Sequence, residues 1–100
     1  MRQLIVIALD HPSYRHWCLQ MRVPERAARY FSTHTNADKV RGLKAEDVAI
    51  VQVDNVALPE GHRIILDIYK MGGATEIARD DSSAVRKWID ADADDSRDAR

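Results

Sequence analysis

The chain has 100 residues, 45% hydrophobic and 31% charged, with a formal net charge of −1. That length bounds it to one domain with one modest core, and a lone cysteine, Cys18, leaves neither an internal disulfide nor a cysteine-based metal site. No apolar run approaches the roughly 18–20 residues of a membrane helix, so the composition is that of a cytoplasmic protein with no membrane association.

The first apolar segment, QLIVIAL at residues 3–9, is continuous and rich in β-branched residues, the pattern of a strand buried on both faces. Arg2 ahead of Leu4 to Leu9 imitates the start of a signal peptide, but the run is short and no small-residue cleavage site follows. Asp10-His11-Pro12-Ser13 breaks the strand, with Asp10 or His11 suited to an N-cap and Pro12 to the first helical turn. Tyr14, Trp17, Cys18 and Met21 then recur at helical spacing, which predicts a helix over 12–22 with one buried face. Val23-Pro24 ends it.

A shorter, more polar strand is predicted over 29–33, RYFST. Thr35-Asn36-Ala37-Asp38 caps a short helix carrying Val40 and Leu43, with Gly42 near its end. DVAIVQV, residues 47–53, is a second strongly apolar strand. Pro59-Glu60 opens a helix whose wide apolar face takes Ile64, Ile65, Ile68, Tyr69 and Met71, and Gly72-Gly73 stop it. ATEIA, residues 74–78, is a brief fourth strand. Asp81-Ser82-Ser83 caps a final helical turn or two with Val85, Trp88 and Ile89 on one side. The acidic segment 91–100 has no apolar residue larger than Ala and reads as a disordered tail after a single domain over 1–90.

Strands alternating with helices imply a parallel sheet covered on both faces. The two apolar strands belong at the centre and the two polar ones at the edges, which gives the order 2-1-3-4. The expected architecture is a small Rossmann-like or flavodoxin-like three-layer α/β sandwich. Right-handed crossovers put the first helix on one face and the next two on the other. The Val85/Trp88/Ile89 stripe then packs beside the first helix or, left uncovered, forms a partner-binding patch.

In that order the chain reverses direction between the two central strands, where open α/β sheets place their ligands. Asp10 and His11 follow the first strand, and Asp54 and Asn55 the third. These four are the candidate catalytic residues, and Asp10 and Asp54 the candidate Mg²⁺ ligands. The competing reading is that both aspartates cap and turn the chain, as Asp does wherever a strand passes into a loop or helix. The β–α turn lacks the glycines of a phosphate loop or dinucleotide fingerprint, so no cofactor is expected. The four histidines lack the close helical spacing of a zinc pair.

Charge is uneven: residues 1–45 carry eight Arg or Lys against three acids, and the remainder is acidic. Arg15, Arg22, Arg26 and Arg29 are the densest basic region and the candidate nucleic-acid contacts.

The order of elements, with a central Trp in the first helix, "DKVRGLKAEDVAIVQVDN" and "GGATEI", resembles a loose group of small α/β proteins encoded by bacteriophages and prophages of high-GC Gram-positive bacteria. The resemblance covers residues 3–78. The group brings no activity and no functional residue; it implies a phage-encoded accessory protein that binds a host or phage macromolecule. The expectation is therefore a non-enzymatic binding protein with a protein partner, a homodimer among the options. The alternatives are a Mg²⁺-dependent hydrolase or phosphotransfer domain using the strand-end aspartates, and a nucleic-acid binder using the basic first half.

Overall fold

A computed structural model describes residues 2–98, with side chains described to residue 91. Its four strands are β1 (Gln3–Ile7), β2 (Ala28–Phe31), β3 (Val48–Gln52) and β4 (Thr75–Ile77). Its three α-helices are α1 (His11–Met21), α2 (Glu60–Met71) and α3 (Ser82–Asp98). The strands form one all-parallel sheet in the order β2-β1-β3-β4.

Burial explains the order. Leu4, Ile5, Val6 and Ile7 of β1 and Val48, Ala49, Ile50 and Val51 of β3 are buried, so both strands need cover on both faces and a neighbour on each side. They pair in register, Ile5 beside Ile50 and Val6 beside Val51. The period of two then divides the core. Leu4, Val6, Ala49 and Val51 meet Tyr14, Trp17 and Cys18 of α1 and Val85 and Trp88 of α3. Ile5, Ile7, Val48 and Ile50 meet Ile65, Leu66 and Tyr69 of α2, with Phe31 and Val40 completing that layer. α1 and α3 thus lie on one face and α2 on the other; right-handed crossovers in this strand order put α1 and α2 on opposite faces.

Of the two readings of the Val85/Trp88/Ile89 stripe, packing beside the first helix holds, and the partner-binding patch is corrected by it. Val85 is 0% exposed and Trp88 8%, and Ile89 packs half-buried on the same cluster. The reason is geometric: α1 alone leaves half of its sheet face uncovered, and the apolar stripe of α3 fills it. The Arg2 guanidinium lies 4.6 Å from the centre of the Trp88 ring and covers that side chain from outside.

A second correction concerns residues 37–43. In place of one short helix carrying both Val40 and Leu43 there is a single 3₁₀ turn, Ala37–Val40, followed by another at Ala45–Asp47. Arg41 is extended and Gly42 takes φ +82°, so the helix cannot continue to Leu43. The Tyr69 hydroxyl holds this connection from below, donating to the Val40 carbonyl and accepting from the Leu43 N–H. Helix α3 extends to Asp98, and the tail expected over 91–100 falls mostly on residues whose side chains, from 92 onward, lie outside those described.

Candidate functional site

The carboxyl ends of the strands form the rim where a ligand crevice is expected. The chain leaves β1 at Ala8, whose N–H still donates to the Phe31 carbonyl, and the Val53 and Asp54 N–H groups both donate to the Ile7 carbonyl. The ends of β1, β2 and β3 are thus tied together. Beside them opens a crevice of about 330 Å³ lined by Ser13, His16, Trp17, Asp54, Arg79 and Asp80, among others.

Both candidate carboxylates are engaged by the backbone. Asp10 is the N-cap of α1: its Oδ1 accepts from the Ser13 N–H at 2.9 Å, satisfying one of the free donors of the first turn. Asp54 Oδ2 accepts from the Leu9 N–H at 2.8 Å, clamping the β3 exit onto the β1 exit across 45 residues of sequence. The two aspartates are therefore brought to one stretch of rim, each turned onto a main-chain donor. Asn55 is exposed beside them. His11 is also exposed and joins an aromatic trio, its ring 5.7 Å from Tyr14 and 5.5 Å from Tyr30. Among the described residues, no three His, Cys, Asp or Glu side chains come together as a metal site.

Arg79 and His16 are crevice residues that the sequence reading missed. Arg79 lies two residues past β4, and its Nη1 donates to the Val53 carbonyl at 3.0 Å while its own carbonyl accepts from Trp17 Nε1–H at 2.8 Å. Its position just past a parallel strand was the available signal, since all four strands end at the same rim. Here the arginine joins the β3 and β4 exits, and Trp17 pins α1 to them.

Burial perturbs two groups below the rim. It pushes the Cys18 thiol up, with the Tyr14 hydrogen bond acting the other way, and pushes the Tyr14 hydroxyl well above its ordinary range, with Cys18 adding to the rise. Both stay protonated near neutrality, so Cys18 serves as a small buried side chain and not as a thiolate nucleophile.

The basic candidates are spread over three elements. Arg15 lies on α1, and Arg22 caps it in the left-handed region at φ 57°. Arg26 sits in the 3₁₀ turn Glu25–Ala27, and Arg29 on β2 donates from Nη1 to the Lys39 carbonyl at 2.9 Å. The first three are exposed and Arg29 is half-buried.

Among the described residues, an exposed apolar stripe lies elsewhere, on the outer side of α2. Ile64, Ile68 and Met71 are 49%, 62% and 88% exposed. Ile64 and Ile68 border an apolar groove of about 400 Å³ between α2 and the 41–43 connection, lined by Leu43, Gly61, Ile65 and Tyr69 as well. Three large apolar residues in one helical stripe differ from the single scattered ones that any surface carries.

No family model matches the chain, and no curated protein or solved structure matches it. The fold and rim define a small α/β domain with an all-parallel sheet whose strand-end acids serve the backbone. Among the described residues, no helix is long and apolar enough to cross a membrane.

Proposed function

We propose that this chain is a non-enzymatic α/β binding protein that works through a protein partner seated on the outer face of α2. The observation that carries the reading is the Ile64/Ile68/Met71 stripe beside its apolar groove. Binding there removes from water side chains that the monomer leaves wet, which is the main favourable term in most protein association. The rigid sheet beneath holds the helix in place through Ile65, Leu66 and Tyr69, so the face is preorganised and little ordering cost attends docking. The resemblance to phage and prophage proteins supports an accessory role on a host or phage macromolecule. The strand-end aspartates give the hydrolase alternative less support, since each already accepts a main-chain N–H. The nucleic-acid alternative has less support too, since its arginines are divided among several elements.

A photo-crosslinking residue at position 68, in cells carrying the chain's own gene, tests the reading. Position 19 is the control, because Leu19 is a lone exposed apolar residue at 76% exposure. Adducts at 68 well above those at 19 are expected; equal, background labelling at both positions would overturn the assignment of this face.

A further inference from the structure

The outer face of α2 carries a pattern that selects its occupant. Charges fall at Glu60, Arg63, Asp67 and Lys70, all exposed, so the sign alternates −, +, −, + along the helix. The neighbouring stripe is Gly61, Ile64, Ile68 and Met71. Both stripes have the 3-4-3 spacing of a helix-pairing seam. Read in the reverse direction, the charge string is its own complement: acid meets base at every position. The apolar string matches in size, because the residue without a side chain, Gly61, falls opposite the most exposed large one, Met71 at 88%.

We infer that the partner on this face is a second copy of the chain, docked with the two α2 helices antiparallel about a twofold axis near their midpoint. This rests on the reading of the α2 face as the interface and names what fills it. An antiparallel pair sets each flank of the seam against the same flank of the other helix, and a twofold interface must be self-complementary. Glu60 then faces the second copy's Lys70, and Arg63 faces its Asp67. Ile64 packs on the second copy's Ile68. Met71 enters the second copy's groove over Gly61, where a Cβ would have nothing within 4 Å. Lys70 already reaches Glu76 at 3.5 Å, and its ammonium keeps further donors for Glu60 of the second copy. A heterologous partner would need none of this internal antisymmetry.

A seam of 12 residues is about 18 Å long, which puts the contact at the small end of specific interfaces and the dimer in the micromolar range or weaker. Sedimentation velocity from about 10 to about 500 µM therefore brackets the transition. A concentration-dependent shift from monomer to dimer is expected. Asp67→Arg sets Arg63 against a like charge across the axis and should raise the dissociation constant about tenfold or more. Arg63→Asp combined with Asp67→Arg keeps the string self-complementary and should restore association to within about threefold of the parent. Circular dichroism confirms that each variant keeps its fold, and Ile68→Glu, at an exposed position, gives a second folded variant that should stay monomeric. Crosslinking at position 68 separates the two levels of the proposal. Adducts of twice the chain mass support the second copy. A chain monomeric throughout whose position 68 captures a different protein overturns the second copy and keeps the α2 face. A monomer with no adducts at 68 overturns both.

Discussion

Cys18 shows what a single buried side chain can do to the behaviour of the whole domain. Its thiol sits under the sheet beside Tyr14, and burial raises its pKa above the ordinary value of 9.0. In the unfolded chain the thiol ionises first as pH rises, so between the two pKa values the unfolded state binds fewer protons and stability falls. The contribution is complete below about pH 9 and is lost as pH climbs through the raised folded value. Denaturant titrations from about pH 7 to about pH 10 should show a declining unfolding free energy that Cys18→Ala flattens over this window. A slope unchanged by the substitution would show that the thiol is accessible to solvent in the fold. At this scale the sequence was legible where the partner is local. Asp10 is three residues from the Ser13 N–H it caps, and Asp-x-Pro ahead of a helical stripe announces that bond. Asp54 accepts from Leu9, and no spacing rule reaches that far; the bond exists only because β1 and β3 are neighbours.

Helices raise the same issue at the next scale, because periodicity reports that a stripe is apolar and not what covers it. The Val85/Trp88/Ile89 stripe was readable, yet only the sheet decides that it is core. Trp88→Ala, which opens a large cavity between α3 and β1/β3, should cost about 3–5 kcal/mol in a denaturant melt, a large part of the stability of a domain this size. A change below about 0.5 kcal/mol, the level of an ordinary surface site, would restore Trp88 to the surface. Helix α2 is the opposite case. Its apolar positions from Ile64 to Met71 read as one wide face, yet at 100° per residue they spread over about 160°. That arc exceeds what one sheet surface covers, and the structure divides it: Ile65, Leu66 and Tyr69 turn inward, while Ile64, Ile68 and Met71 turn out. Counting the arc, and not only the apolar residues, was the signal that a second surface was present.

Across the whole molecule, stability should be graded from the centre of the sheet to its edges. β1 is hydrogen-bonded on both sides, to β2 and to β3, and its side chains enter both core layers. β4 has three residues, pairs only with β3, and buries Ile77 while Thr75 and Glu76 remain exposed. Opening β4 therefore sacrifices little burial, whereas separating β1 from β3 dismantles both layers at once. Native-state amide exchange should accordingly find Ile5, Val6 and Ile50 exchanging only through global unfolding. The β4 amides should exchange through local opening at a free energy lower by about 2 kcal/mol or more. This gradient also bears on the proposed binding face, because α2 connects β3 to β4 and stands on the protected centre through Ile65 and Leu66. If the second copy packs on α2, the amides of α2 should gain protection as protein concentration rises, while those of β1 remain at the global limit. Equal exchange free energies in β1 and β4 would mean instead that the domain opens as one cooperative unit, with no soft edge.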